Sequence, residues 1–171
     1  MTIKIGDNIP DVKFQFRVGD VRPEKGTCPT GGSFVTKSSS EIFAGKRVII
    51  FSLPGAYTPT CSTYQLPGFD QNFDSFKKEG IDDIYVISVN DAFVMNAWAK
   101  DCDIQNIKTI PDGNGEFTAA MGMNVAKSNL GFGMRSWRYA AIINDCKVCL
   151  LYTSDAADDT PCVDLGGRRI I

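Results

Sequence analysis

Apolar and polar positions along the chain follow two different periods, and the changes of period mark the predicted strands and helices. Residues 48–53 (VIIFSL) form a short run of β-branched, aromatic and leucine side chains, which predicts a strand buried on both faces. After it, Phe69, Phe73 and Phe76 recur at helical spacing and predict a helix whose aromatic stripe faces a sheet. Pro67 is expected to kink that helix, because proline removes a backbone hydrogen bond.

The later elements continue the order of strand and helix. Residues 84–89 predict the next strand, and Asn90 or Asp91 is placed to cap a helix that runs to about Cys102. The predicted inner face of that helix carries Phe93, Ala97 and Trp98. The remaining predicted elements are a short strand at 109–110, a turn at 111–115, a short helix at 116–121, a strand at 137–143 and a partner strand at 147–148.

This order predicts an α/β fold in which a central mixed β-sheet is flanked by helices. Residues 18–40 interrupt the order, and their richness in Gly, Ser, Thr and Pro predicts a surface excursion. At 171 residues, with 43% hydrophobic and 22% charged side chains, the chain is long enough for one sizeable core. We therefore expect a single domain.

The charge and the cysteine usage exclude several classes of protein. A formal net charge of −2 gives no electrostatic case for binding nucleic acid or an anionic membrane. The longest apolar runs are too short to span a bilayer, and residues 1–10 lack the apolar stretch of a signal peptide, so a cytoplasmic location is predicted. The six cysteines are scattered over a full-sized domain, which favours free or catalytic thiols.

One cysteine lies where a thiolate would be stabilised. Thr58 suits the N-cap of the helix and Pro59 its first position, so Cys61 falls in the first turn, near unpaired N–H groups and the positive end of the helix dipole. The chain has no histidine, and an active Cys61 would therefore need a cationic neighbour rather than an imidazole base. The alternative is a buried structural cysteine.

The residues around this cysteine carry a family resemblance. The segment 54–62 (PGAYTPTCS), followed by LPGF at 66–69, resembles the peroxiredoxins, and specifically their peroxiredoxin-5 or type II branch. Further matches are IGD at 5–7, FAGK at 43–46, SVNDAFV at 88–94 and SWRY at 136–139. The resemblance runs from Met1 to about Val148 and implies a thioredoxin-like fold.

The resemblance also implies a function and a set of site residues. The expected activity is a thiol-dependent peroxidase, in which the Cys61 thiolate reduces hydrogen peroxide or an alkyl hydroperoxide and becomes a sulfenic acid. By the same resemblance, the Thr58 hydroxyl bonds the thiolate and the peroxide, Pro54 shields the pocket from water, and Arg138 is the cation beside the sulfur. No metal, haem or flavin is implied.

Each assignment has an alternative. Thr58 can serve as a simple N-cap, Pro54 as a strand terminator, and Arg138 as an exposed strand residue, with Arg135 as a second candidate for the cation. Many members of the branch have a histidine four residues after the cysteine, where this chain has Gln65. An amide cannot protonate a leaving group, so the source of that proton stays open.

The thiols available for recycling point to a one-cysteine cycle. Cys28, Cys102 and Cys146 match no recognised resolving position, so the reductant would come from outside, as glutathione with glutaredoxin or as thioredoxin. The resemblance suggests a homodimer. The alternatives are a redox sensor or binding protein switched by Cys61 oxidation, and thiol–disulfide exchange through the C-x-x-C spacing of Cys146 and Cys149.

The end of the chain departs from the rest. Residues 149–171 resemble the translation of a transposase sequencing adapter, so we expect a peroxiredoxin domain at 1–148 and a non-native tail at 149–171. The natural C-terminus would then be missing and the domain truncated. A tail that was never selected to pack is expected to be poorly ordered.

Overall fold

The computed structural model describes residues 2–21 and 28–153, and its centre is a five-stranded mixed sheet. The strands of the described residues are β1 (Lys13–Val21), β2 (Thr30–Ser38), β3 (Arg47–Ser52), β4 (Asp83–Ser88), β5 (Lys108–Pro111), β6 (Asn124–Ala126), β7 (Met134–Ser136), β8 (Tyr139–Asn144) and β9 (Lys147–Thr153). The helices are α1 (Ser39–Phe43), a π-helical turn (Cys61–Gln65) that continues into α2 (Leu66–Gln71), α3 (Phe73–Lys78), α4 (Ala92–Asp101), α5 (Glu116–Ala120) and a 3₁₀ turn (Ser128–Leu130).

The strand order of the central sheet is β5-β4-β3-β8-β9. Strands β3, β4 and β5 are parallel, whereas β8 is antiparallel to β3 and β9 is antiparallel to β8. The predicted α/β architecture with a central mixed sheet is therefore confirmed. In the part of the chain described here, no helix is long and apolar enough to cross a membrane.

Strand β3 is buried on both faces, as its unbroken apolar run predicts. Val48 and Ile50 belong to one hydrophobic cluster, and Ile49 and Phe51 belong to a second cluster on the opposite face. Each such side chain contributes about 1.5–3 kcal/mol when it is fully buried. Cys61 is part of the second cluster, together with side chains of α2 and α4, so the candidate site rests on one defined face of the sheet.

The helix after Cys61 is less regular than predicted. Its first part is a π-helical turn in which the N–H of Leu66 bonds to the carbonyl of Cys61, and Pro67 follows directly. The predicted single helix also breaks at Asn72, which separates α2 from α3. Phe69 is buried and stacks on Phe51 with ring centroids 4.0 Å apart, whereas the phenylalanines of α3 pack only partly against the same cluster.

The predicted inner face of α4 is wrong at one position. Asp91 caps the helix as expected and accepts the N–H of Val94 at 3.0 Å. Phe93, however, is 39% exposed and packs edge-on against Phe34 of β2, outside the core. The side chains that α4 buries are Ala92, Met95 and Trp98.

The described part of residues 18–40 is largely exposed, as predicted, but it is regular structure and not a loop, and residues 22–27 lie outside the described residues. The segment contributes to a long antiparallel hairpin of β1 and β2, which pair from Lys13 with Ser38 to Val21 with Thr30, and to helix α1. Several glycines of the hairpin adopt positive φ, so a composition that looks like a loop is compatible with a twisted strand pair. Phe14 anchors the hairpin in the first hydrophobic cluster, and Asn96 of α4 donates to the carbonyl of Arg17.

The structure extends past the predicted domain end. Strand β9 continues through residues 149–153 and pairs with β8, so the expectation of poor order does not hold for those residues. Residues 154–171 lie outside the described residues. The predicted strand at 137–143 begins later, at Tyr139, because Trp137 and Arg138 form an extended link between β7 and β8.

Candidate active site

Cys61 lies in the first helical turn beyond strand β3, as predicted. Helical backbone begins at Pro59, directly after Thr58, whose carbonyl accepts the N–H of Ser62 at 3.0 Å. The cysteine is only 1% exposed and belongs to the second hydrophobic cluster. Its sulfur therefore combines a helix start, which favours a negative charge, with surroundings that exclude bulk water.

Arg138 is the cation that the structure places beside this sulfur. Its Nη1 atom lies 3.6 Å from Cys61 Sγ, and the side chain is only 9% exposed. The contact follows from the sheet: Ser52 at the end of β3 pairs with Tyr139, so the residue before Tyr139 lies next to the segment that follows β3. A guanidinium at this position stabilises a thiolate more than a thiol.

Gln65 makes a second contact between the helix of Cys61 and Arg138. Its Oε1 atom accepts a hydrogen bond from Arg138 Nη1, the same nitrogen that approaches the sulfur. Gln65 is fully buried four residues after Cys61, which brings both side chains to one face of the helix. Its Nε2 atom is buried and has no hydrogen-bond partner among the described residues.

The structure places Thr58 and Pro54 in the loop that leads to the cysteine. The Thr58 hydroxyl donates to the carbonyl of Gly55 at 2.8 Å, and this bond closes the loop. The predicted hydrogen bond from this hydroxyl to the thiolate is not among those of the structure. Pro54 is half-buried directly after the fully buried Leu53.

Asn90 holds the same loop from the neighbouring strand. Its Oδ1 atom accepts the N–H of Ala56 at 3.0 Å and the hydroxyl of Ser88 at 2.7 Å. From the sequence pattern, Asn90 is expected only to cap a helix. The available signal was its position directly after a buried parallel strand, because the carboxyl ends of parallel strands meet at the same edge of a sheet.

Arg135, the second candidate for the cation, is engaged elsewhere. Its Nη1 atom donates to the carbonyl of Val89 at 3.0 Å, and its Nε atom donates to the carbonyl of Phe132 at 2.9 Å. The structure gives no hydrogen bond between Arg135 and Cys61 among the described residues. Arg135 therefore bonds to backbone carbonyls, whereas Arg138 contacts the sulfur.

Trp98 supports the helix of Cys61 from the side of the core. The sequence pattern does not indicate this contact. Its indole Nε1 donates to the hydroxyl of Ser62 at 2.9 Å, and the ring is fully buried in α4. This bond ties the helix residue next to Cys61 to the core. Its sequence signal was a tryptophan on a predicted inner face, which by itself indicates packing only.

The other cysteines differ from Cys61 in environment. Cys28, Cys61, Cys102, Cys146 and Cys149 are all free thiols. Burial, with a further contribution from Asp101, raises the pKa of Cys102. Burial also raises the pKa of Cys146, and the nearby carboxylates add to the effect. Both thiols are therefore poor sources of thiolate at neutral pH.

These features define a class of protein. A cysteine at a helix start, packed on the carboxyl end of a parallel strand and touched by a buried guanidinium, is suited to nucleophilic redox chemistry by a thiolate. A mixed sheet with helices on both faces and a cysteine site of this kind is typical of thioredoxin-like thiol proteins.

Comparison with known proteins makes the assignment specific. Residues 4–161 match the family model described as Redoxin. A peroxiredoxin from Rhizobium etli is 59% identical over 137 residues, which cover 80% of this chain and 75% of the relative. Reduced Prx3 from Vibrio vulnificus, solved in complex with hydrogen peroxide, superimposes with a TM-score of 0.80 at 35% identity, over 92% of this chain and 88% of that one. Peroxiredoxin 5 from Alvinella pompejana gives a TM-score of 0.73 at 37% identity, over 88% and 89%.

The chain belongs to the peroxiredoxin family, with a thioredoxin-like fold, and is similar to its peroxiredoxin-5 or type II branch. The predicted family is therefore confirmed. Its activity is that of a thiol-dependent peroxidase.

Proposed function

We propose that Cys61 is the nucleophile of this peroxidase and that Arg138 activates it. The observation that carries the proposal is the buried contact of 3.6 Å between Arg138 Nη1 and Cys61 Sγ. The thiolate attacks one peroxide oxygen, the O–O bond breaks, and Cys61 becomes a sulfenic acid. The other oxygen leaves as hydroxide or alkoxide and takes up a proton to form water or an alcohol. The guanidinium favours the thiolate and also stabilises the charge that moves onto the leaving oxygen.

Thr58 and Pro54 shape the pocket in this proposal. The Thr58 hydroxyl now bonds to Gly55, and its oxygen can accept a hydrogen bond from the peroxide while the loop stays closed. Pro54 lies between the buried end of β3 and this loop, where it presents no N–H and keeps water from the sulfur. Both roles rest on the family pattern together with these positions.

The proposed recycling uses one cysteine and an external thiol. A resolving cysteine must attack the sulfenic acid as a thiolate, and the raised pKa values of Cys102 and Cys146 disfavour this for both residues. A glutathione thiol would instead condense with the sulfenic acid to give a mixed disulfide and water. A second thiol, from glutaredoxin or another glutathione, would then release Cys61; thioredoxin is the alternative reductant.

The assembly and location that we propose are a homodimer in the cytoplasm. Leu130, Phe132 and Met134 expose apolar surface on the segment leading to Arg138, and the guanidinium of Arg135 places this segment beside Gly55. A second copy covering this surface would lie next to the site. The free state of the described cysteines agrees with a reducing compartment.

Peroxide consumption tests the proposed nucleophile. We expect the purified protein to consume hydrogen peroxide with glutathione and glutaredoxin, or with thioredoxin, and Cys61→Ser to lose turnover while it keeps its fold. Cys102→Ser is the matched control and should keep its activity. Oxidation of Cys61 without turnover would instead support the redox sensor, and turnover that survives Cys61→Ser would remove Cys61 from the mechanism.

Peptide mapping tests the recycling. Protein treated with peroxide and then with glutathione should carry one glutathione on Cys61. A bond from Cys61 to Cys28, Cys102 or Cys146 would replace the one-cysteine cycle with a resolving cysteine. Reduction of insulin disulfides that persists in Cys61→Ser would favour exchange through Cys146 and Cys149.

A further inference from the structure

Tyr57 adopts a backbone conformation that a bulky side chain rarely takes. Its φ angle is 62°, in the left-handed region, and helical backbone leading to Cys61 begins two residues later at Pro59. In this region the Cβ atom of an L-residue crowds the following carbonyl oxygen, which costs free energy. A residue keeps such a conformation only where the surrounding structure holds it, and residues of this kind occur mainly at functional sites.

The side chain of the same tyrosine is bonded to a distant helix. The Tyr57 hydroxyl donates to Asp101 Oδ2 at 2.7 Å, a short hydrogen bond to a carboxylate that joins residues 44 positions apart. Tyr57 is 52% exposed, so burial alone does not fix its side chain. The bond to Asp101 is therefore a specific restraint on a residue whose backbone conformation needs one.

Asp101 is also in a locally unfavourable position. It is the last residue of α4, where the negative end of the helix dipole repels a carboxylate. A basic side chain suits this end of a helix better, as Lys100 in the same turn does. Two residues that are each unfavourable in their own segment are thus bonded to each other. Local conflicts of this kind are expected mainly where function requires them.

The bond lies where it can act on the proposed nucleophile. Helix α4 holds the segment of Cys61 at two points: Asp101 accepts the hydroxyl of Tyr57, and Trp98, one turn earlier, donates to the hydroxyl of Ser62. These two contacts flank Cys61 on its N-terminal and C-terminal sides. Between them lies the helix start, whose N–H groups and dipole favour a thiolate only while the backbone keeps its helical direction.

We propose that Tyr57 and Asp101 are a pair of positioning residues that fix the helix start beside Cys61 and thereby favour its thiolate. The inference deepens the proposed function and rests on the nucleophilic role given there to Cys61. The pair does not touch the peroxide; it acts through the backbone of residues 57–61. Loss of the bond lets residue 57 relax toward negative φ, and the first N–H groups of the helix then turn away from the sulfur.

Tyr57→Phe tests the proposal, because it removes the hydroxyl and keeps the ring. Two quantities are measured: the second-order rate of peroxide reduction, and the pH profile of iodoacetamide alkylation followed on the Cys61 peptide. The rate should fall about two- to tenfold, the range that matches the contribution of a helix start to a negative charge, and the profile should move to higher pH. Asp101→Ala should give the same defect. The double variant should be no slower than either single variant, because both changes break one bond.

Two further variants serve as controls. Asp101→Asn keeps an oxygen that accepts the tyrosine hydroxyl, so its rate should stay within about twofold of wild type. Tyr85→Phe is the matched control: Tyr85 of β4 also donates to a carboxylate, that of Asp83 at 3.2 Å, but it belongs to the first hydrophobic cluster and Cys61 to the second. Its rate and its alkylation profile should stay unchanged.

A second pair of variants tests the backbone conformation itself. Tyr57→Gly and Tyr57→Ala both lose the ring and the hydroxyl, but only glycine adopts a positive φ without steric cost. Tyr57→Gly should therefore reduce peroxide about twofold faster than Tyr57→Ala, or more. A glycine variant that is as slow as the alanine variant would show that the left-handed conformation at residue 57 does not act on the site, and the proposed mechanism would fall.

The outcomes separate the inference from the proposed function. A Tyr57→Phe variant with a normal rate, or with a slower rate and an unchanged alkylation profile, would overturn the positioning role even if its stability in urea is lower. A slow Asp101→Asn variant would show that the charge of the carboxylate acts on the site rather than the bond, and would overturn the pair as well. Turnover that survives Cys61→Ser would overturn the proposed nucleophile, and the inference with it.

Discussion

At the scale of single residues, the proposed mechanism combines two sources of stabilisation for a thiolate, the charge of Arg138 and the start of a helix. Two unit charges about 4 Å apart near a protein surface interact by about 4 kcal/mol. A helix N-terminus contributes about 0.3–1 kcal/mol, and up to about 2 kcal/mol in a partly buried site. With Nη1 at 3.6 Å from Cys61 Sγ and both side chains buried, we expect the guanidinium to contribute more than the helix start in the proposed mechanism.

This comparison predicts the effect of removing the charge. Arg138→Met should slow peroxide reduction by about a hundredfold or more and move Cys61 alkylation to higher pH, since about 1.4 kcal/mol corresponds to a factor of ten. Arg138→Lys should recover only part of the rate, because an ammonium lacks the planar fork that meets the sulfur and Gln65 together. Stopped-flow measurement of peroxide reduction and iodoacetamide alkylation between acid and alkaline pH provide the readouts.

Arg135→Met is the matched control for this prediction. Its guanidinium donates to backbone carbonyls, so its loss should affect loop support and stability more than the pH profile of alkylation. A profile that moves in Arg135→Met and stays fixed in Arg138→Met would reverse the assignment of the two arginines.

The sequence predicts the placement of some of these residues but not the contacts of all of them. Local pattern alone located Cys61, because Thr58 and Pro59 mark a helix start within a few residues of it. Arg138 came only from the family resemblance: it is distant in sequence, and its contact depends on β8 pairing with β3. The contact of Gln65 needed the structure, since sequence shows the shared helix face but not the partner on it.

At the scale of elements, long apolar runs were predictable and the hairpin was not. Strands β3, β4 and β8 are covered by helices, and their sequences are correspondingly rich in apolar residues. Strand β1 alternates Phe14, Phe16 and Val18 with polar residues, which is the period of a strand, but Phe14 alone of these three is buried. Strand β2 is largely exposed, pairs with β1 along its length and has no apolar period. The break of the predicted long helix at Asn72 left no clear signal either.

Helix α5 offers a prediction about pH at this scale. Asp112 directly follows β5 and accepts the N–H groups of Phe117 at 3.2 Å and Thr118 at 2.8 Å. Burial raises the pKa of Asp112 and outweighs these hydrogen bonds, which act in the opposite direction. The folded state therefore binds the proton more tightly than the unfolded state. The stability that this group contributes is fully present below the unfolded pKa of about 3.9 and is lost as the pH rises through the folded pKa.

Asp112→Asn should remove that dependence. The single amide oxygen can accept only one of the two N–H groups that the two carboxylate oxygens accept, so the variant should carry a pH-independent cost from the lost hydrogen bond. Because the amide carries no charge, the free energy of unfolding of the variant should nevertheless rise relative to wild type as the pH increases above about 4. Asp112→Ala loses the acceptor as well and should cost about 1–2 kcal/mol, the range for a lost helix cap. Urea unfolding at several pH values measures both; a constant difference between wild type and Asp112→Asn across pH would contradict the raised pKa.

At the scale of the whole molecule, the sheet separates two hydrophobic clusters, and β9 forms one of its edges. Leu151 of β9 packs against the first cluster, and Leu150 pairs with Ile142 of β8. The predicted boundary at Val148 falls inside this strand. The origin of residues 149–171 stays a prediction, but their first residues contribute to the structure whatever that origin is.

Two truncations separate the parts of this segment. Removing residues 154–171 should cost less than about 1 kcal/mol, because their stretch from Asp155 to Pro161 has too little apolar content to repay an ordering cost. Removing residues 149–171 should cost about 2–3 kcal/mol more, since it also uncovers Leu151 and turns β8 into an edge strand.

The longer truncation should also slow peroxide reduction. Strand β8 begins one residue after Arg138, so loss of its β9 partner loosens the support of the guanidinium, whereas the shorter truncation leaves that pairing intact. Urea unfolding and peroxide consumption, measured on the two truncated proteins, test whether residues 149–153 contribute to stability and to the rate of peroxide reduction. Equal stability of the two truncated proteins would show that β9 beyond Val148 contributes nothing, and the predicted domain end at Val148 would then hold in energetic terms as well.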